Sequence, residues 1–159
     1  MCFVSTTKTV SVMAMMVLLA GLAAGQNKHC TAAGGMLMTN LGAVDPATTM
    51  GTATGDLRGA VGATILSTEG SGNTLILHVQ HHWVTESGDT LDFDAATATT
   101  TQVAPGLYAI VTYPVHLKGG TGKYAGASGN FTNIGEADLV SGQIVLRYSG
   151  QLCFPKGDS

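Results

Sequence analysis

The sequence is short of positive charge. It holds seven Lys and Arg in 159 residues. Those beyond the first 25 (Lys28, Arg58, Lys118, Lys123, Arg147 and Lys156) are scattered, so no basic stripe exists to follow a phosphate backbone, and nucleic acid is not an expected partner. Cysteine is scarce as well. Cys2, Cys30 and Cys153 form no CxxC pair, which removes the spacing of a zinc ribbon or a dithiol redox motif. There are only four prolines, no sustained helical period, no solenoid-length repeat and no linker to a second domain. No GxSxG nucleophile elbow and no cofactor motif is present, so no cofactor and no metal are expected.

At the N-terminus, Lys8 precedes an apolar stretch from Val10 to Ala24 that ends in Ala23-Ala24-Gly25. A basic residue, an apolar core of this length and small residues before a polar cluster match a secretory signal peptide, and the stretch is short for a membrane span. The expected organisation is a signal peptide over 1–25 and one domain over 26–159, secreted or periplasmic, with no membrane attachment after processing. Cleavage removes Lys8 and moves the formal charge from −3 to −4. It also leaves two cysteines, Cys30 and Cys153, which bracket the β-rich region in a compartment that permits disulfides.

Between those cysteines, short apolar and β-branched runs alternate with Gly, Asp, Ser and Thr. The pattern predicts eight strands, over 35–42, 49–56, 58–68, 73–86, 90–102, 106–118, 127–138 and 142–153. Turn signals such as Ser87-Gly88-Asp89, Pro105-Gly106 and Ser141-Gly142 are short, which makes neighbouring strands antiparallel. The expected fold is all-β, an eight-stranded antiparallel up-and-down barrel, with a sandwich as the rival that spacing alone leaves open. In a barrel closed by its first and last strands, Cys30 and Cys153 come side by side, and a disulfide between them would fasten the seam.

The segment Gly119-Gly-Thr-Gly-Lys-Tyr-Ala-Gly-Ala-Ser-Gly129 has five glycines and reads as a tight corner between two of these strands. A phosphate loop would need GxxxxGK[ST] opening a helix, whereas Lys123 is followed by Tyr124 and then by strand-like alternation. This segment resembles the signature of the allene oxide cyclase and dirigent protein superfamily, in which GG[ST]G, an aromatic residue and a later glycine join two barrel strands. The resemblance implies an eight-stranded barrel whose cavity holds a small apolar or phenolic molecule and constrains its cyclisation or isomerisation. It also implies homo-oligomers, commonly trimers. Of the polar first-strand residues in the plant cyclases, Asn40 is the one plausible counterpart here, as a ligand-binding residue. Tyr124 keeps the aromatic position of the corner.

The densest polar aromatic set is His78-Val-Gln-His-His-Trp-Val-Thr-Glu86. Alternation puts His78, Gln80 and His82 on one face and Val79, His81, Trp83 and Thr85 on the other, the more apolar face and the candidate lumen. His78 and His82 lie roughly 13 Å apart along an extended strand and cannot share an ion. A metal would need partners such as His116 or Asp92 from other strands. Phe93, Tyr113 and Val111 are expected to join the lumen face. His81 is the candidate catalytic residue, because an imidazole among apolar neighbours can donate, accept or transfer a proton. Trp83, Phe93 and Tyr113 are the candidate ligand-binding walls, and for all four the ordinary reading of such residues is satisfied core. Three functions follow: a cyclase-like or isomerase-like enzyme, a ligand-binding barrel, and a structural barrel with a filled lumen. They divide on whether the lumen is open: an empty volume of about 300 Å³ or more would suit a ligand, and a filled lumen would remove both cavity readings.

Export carries its own test. Mass spectrometry of protein recovered outside the cytoplasm is expected to find a mature terminus near Gln26; an intact Met1 in that fraction contradicts the signal-peptide reading.

Overall fold

Gly-rich turns divide the described residues, 28–156 of the computed structural model, into ten antiparallel strands. They are β1 (Lys28–Leu41), β2 (Thr48–Ala53), β3 (Gly59–Glu69), β4 (Ile76–Thr85), β5 (Thr90–Phe93), β6 (Ala96–Ala104), β7 (Leu107–Thr112), β8 (Pro114–Gly120), β9 (Ser128–Asp138) and β10 (Gln143–Pro155). The expected signal peptide lies outside the described residues.

The strands close a barrel. β1 pairs with β2, β2 with β3, β3 with β4, β9 with β10, and β10 returns to β1. Between β4 and β9 the wall is completed twice, by β6 and β7 toward one end and by β5 and β8 toward the other. Either route gives a closed ring of eight antiparallel strands with two further strands beside it. Closure through β1 and β10 decides against a sandwich and leaves the ring without a free edge.

The sequence runs 90–102 and 106–118 are each a single expected strand, and each is interrupted once, at Asp94-Ala95 and at Tyr113. The second interruption reverses one assignment. Between β6 and β7 the register jumps from Thr99↔Thr112 to Thr100↔Ile110, so Val111 is an extra residue in the wall. Val111 and Thr112 both face outward, and Ile110 takes the inward position expected of Val111. Pro114, which has no amide to donate, is the first residue of β8, where a strand tolerates proline. Tyr113 is thereby returned to the interior.

The Gly119–Gly129 segment does join two antiparallel strands, β8 and β9. Its Gly122–Tyr124 piece is a single 3-10 turn that leads into β9 and opens no helix. Gly122 has φ +53°, a conformation that disfavours any side chain, and a Cβ there would also have to displace the Asp89 carboxylate. Tyr124 turns inward, is buried, and packs on Phe154 at 6.0 Å between ring centroids.

One end of the barrel is plugged. The 3-10 turn Gly55–Leu57 between β2 and β3 buries Leu57 against the lumen aromatics. Its backbone polar groups are satisfied there: the Leu57 amide donates to Tyr148 Oη at 2.9 Å, and Trp83 Nε1 donates to the Leu57 carbonyl at 2.8 Å. Tyr148 Oη in turn donates to the Thr54 carbonyl at 2.8 Å.

The seam is the longest pairing in the barrel and runs from Lys28↔Pro155 to Asn40↔Gln143. β1 starts seven residues before the expected 35, because its backbone ladder with β10 continues through Gly34-Gly35, where the side-chain pattern is interrupted. Cys30 lies opposite Cys153, with Cα atoms 3.9 Å apart, and the two form a disulfide across 123 residues. Closing a loop of that length is worth up to about 5 kcal/mol in the chain-entropy account. The double variant Cys30→Ser/Cys153→Ser is expected to lose several kcal/mol in denaturant unfolding while keeping its far-ultraviolet β spectrum. An unchanged midpoint contradicts a role for the bridge in fastening the seam.

Candidate functional site: the barrel lumen

Strand alternation builds the lumen. On β4, Val79, His81, Trp83 and Thr85 point inward and His82 and Val84 outward. From the facing wall come Phe93, Ile110, Tyr113, Val115 and Leu117, and from the seam side Leu37, Phe131, Asn133, Leu146 and Tyr148. The structure therefore brings four of the candidate residues, His81, Trp83, Phe93 and Tyr113, into one interior. Asn40 is not among them. It is exposed on the outer face of β1, because the inward parity of that strand falls on Leu37 and Thr39.

The lumen has two unlike halves. Toward the plug it is filled by aromatic rings: Trp83 lies 5.7 Å from Phe93 and meets Tyr148 edge-on at 5.7 Å, and Phe131 meets Tyr148 at 6.1 Å. Toward the other end the walls are aliphatic and leave a cavity of about 70 Å³. Leu37, Val61, Leu77, Val79, Ala98, Ile110, Ala137 and Leu146 line it, and its polar contributions come from Thr39, Thr49, His81 and Tyr113. Small residues on β6 and β9, Ala98 and Ala137, stand where larger ones would fill the space. The volume is well under the roughly 300 Å³ of drug-sized sites.

His81 and Tyr113 sit where the two halves meet. Tyr113 Oη and His81 Nε2 are 2.8 Å apart, with ring centroids 5.5 Å apart and nearly stacked, and Phe93 lies 5.5 Å from the imidazole on another side. Burial, with a smaller contribution from neighbouring His82, pulls the His81 pKa down to about 4, and burial pushes the Tyr113 hydroxyl above its ordinary value. Both groups are neutral at pH 7. One proton then lies between them, on either the hydroxyl or Nε2, and the Tyr113 oxygen retains hydrogen-bonding capacity toward the cavity. A base with a pKa near 4 is a weak proton acceptor at neutral pH, so the pair is suited to orienting and polarising a ligand through a neutral hydrogen bond.

Among the described residues, two buried polar atoms have no protein partner, His81 Nδ1 and Asn133 Oδ1, and both residues border a second, very small void of about 10 Å³ in the aromatic half. Asn133 was not among the sequence candidates. The alternation of β9, which turns Phe131 inward, was the signal that could have found it. Gln80, on the outer side of β4, is also placed by the wall: its Nε2 donates to the Phe93 carbonyl at 3.1 Å, spanning the gap between β5 and β6.

The outward histidines are dispersed. His82 bonds Thr64 at 3.0 Å, His78 lies 3.2 Å from Glu69, and His116 lies 2.7 Å from Asp94. Among the described residues, no three His, Cys, Asp or Glu side chains gather as metal ligands.

These features define a class: a closed antiparallel barrel, plugged at one end, with an aliphatic cavity that terminates on a neutral His–Tyr pair. No known protein family matches the chain, and neither the curated proteins nor the solved structures yield a match.

The depressed His81 pKa has a thermodynamic consequence. The unfolded chain takes up a proton near pH 6.5 and the native one only near 4, so stability is full above 6.5 and falls as pH drops through that window. The loss is about 3 kcal/mol. His81→Gln, which retains a neutral hydrogen-bonding side chain, is expected to flatten the pH dependence of the urea midpoint between pH 6.5 and 4. A wild-type midpoint that stays constant across that window contradicts the buried neutral imidazole.

Proposed function

We propose that this protein is an exported barrel that holds a small apolar molecule in the open half of its lumen, with the His81–Tyr113 pair as the polar stop. The supporting observation is the asymmetry of the interior. Aromatic packing closes one half, whereas the other keeps an aliphatic cavity walled by Ala98 and Ala137 and floored by a hydrogen-bonded pair. A structural barrel alone would gain by filling that space, since unfilled apolar volume costs stability. The likeness of the Gly119–Gly129 corner to allene oxide cyclases and dirigent proteins supports the same reading. The Cys30–Cys153 disulfide and the leader-like N-terminus support export.

Guidance of a cyclisation or isomerisation extends this reading. It would draw on confinement and on the neutral hydrogen bond from the pair, because His81 is too weak a base for efficient proton abstraction near neutrality. The cavity volume selects for a small or slender occupant.

Hexane is the simplest probe of the cavity. Added to the mature protein, it is expected to shift the NMR methyl resonances of Leu37, Val61, Ile110 and Leu146, and Ala137→Leu is expected to abolish those shifts without loss of stability. Absent shifts, or shifts confined to the outer face, would leave a structural barrel as the better account.

A further inference from the structure

We propose that the lumen is selective for an uncharged aliphatic molecule with one oxygen head group, an alcohol or a ketone, which enters head-first and docks on Tyr113 Oη. This rests on the lumen-binding reading above and specifies its ligand class.

Three features of the barrel converge on it. The cavity walls are aliphatic, and the aromatic half is already occupied by Trp83, Phe93 and Tyr148, so a flat ring finds no stacking partner free to receive it. The floor is a neutral pair, His81 Nε2 with Tyr113 Oη at 2.8 Å, and among the described residues no Lys, Arg, Asp or Glu lines the cavity. A carboxylate or ammonium driven to that floor would be a desolvated charge without a counter-ion, which is strongly disfavoured. An alcohol or a carbonyl meets no such penalty. The proton shared by the pair can reside on either group, so Tyr113 can accept from a hydroxyl or donate to a carbonyl oxygen.

The mouth reinforces the selection. The cavity residues come from the strand ends joined by the β1–β2, β3–β4, β6–β7 and β9–β10 turns, so the open end is the one carrying those turns. Its rim is apolar: Val44 is 70% exposed and Val140 82%, with Leu66 and Val103 exposed beside them. Its carboxylates are Asp45, Glu69 and Asp138. Asp45 and Asp138 are spent on capping their own turns, through the amides of Ala47 and of Val140 and Ser141, and Glu69 pairs with His78. Among the described residues the Lys and Arg side chains lie elsewhere, with Arg58 and Lys123 at the plugged end and Arg147 on the outer face of β10. An anion approaching this mouth meets like charge and apolar surface with no cation to receive it.

The test compares six probes on the disulfide-intact mature protein at pH 7: hexane, 1-hexanol, 2-hexanone, hexanoate, hexylamine and phenol. Binding is read by titration calorimetry and by the fluorescence of Trp83, the single tryptophan of the chain. Hexanol and hexanone are expected to bind at least about tenfold more tightly than hexanoate, hexylamine or phenol, a difference in keeping with one unpaired buried polar or charged group. Tyr113→Phe is expected to weaken hexanol about fivefold or more and hexane by much less, since the group removed is a hydrogen-bonding hydroxyl. Hexanoate, hexylamine or phenol binding as well as hexanol overturns the proposed selectivity but leaves the cavity reading standing. So does hexanol binding that Tyr113→Phe does not weaken. Failure of every probe, hexane included, overturns both. Where Tyr113→Phe does not fold, the wild-type comparison decides alone.

Discussion

The pairing of β1 with β10 is the contact on which the rest depends. Without it the chain is an open sheet with two free edges, its inward side chains have no common interior, and neither the plug nor the cavity exists. Its register, from Lys28↔Pro155 to Asn40↔Gln143, is set by a requirement shared along its whole length: a slip of β1 by one residue would turn its inward set, Ala33, Leu37 and Thr39, out to solvent. The disulfide between Cys30 and Cys153 holds that register covalently at the plugged end, leaving the far end of the seam to border the aliphatic cavity.

Closure makes the interior narrow, and a narrow interior forces a division of labour. Trp83, Phe93, Phe131 and Tyr148 fill one half, and the Trp83 indole and the Tyr148 hydroxyl are tied to the Gly55–Leu57 turn. The opposite half is built from alanine, valine, leucine and isoleucine and does not fill. His81 stands at the division because β4 alternates without interruption, and Tyr113 reaches it only because the wall opposite is bulged at Val111. The same low-polarity surroundings that keep the imidazole neutral also make its hydrogen bond to Tyr113 worth more than it would be in water.

Much of this was legible in the sequence, for reasons that differ by element. Uninterrupted alternation in 76–85 identified the lumen face of β4, His81 and Trp83 included, since a strand with one buried face has a parity that cannot be shifted cheaply. The cysteines at the two ends of the β-rich region revealed the seam. Val111 was misassigned because a bulge is a tertiary adjustment, and only the adjacent Pro114 hinted at an interruption there. Asn40 was carried over by resemblance alone, and the parity of β1 places it outside, with Thr39 facing the cavity instead. The cavity itself left no mark in the sequence, because it results from small side chains on β6 and β9 that meet only when the barrel is closed.

The central claim is that the lumen ends on a buried, uncharged His81–Tyr113 pair, and the protonation of the His81 ring tests it most directly. In a nitrogen-15 NMR titration of the mature protein, the His81 imidazole is expected to remain neutral from pH 7 down to about 4. A His81 that is imidazolium at pH 6 would contradict it.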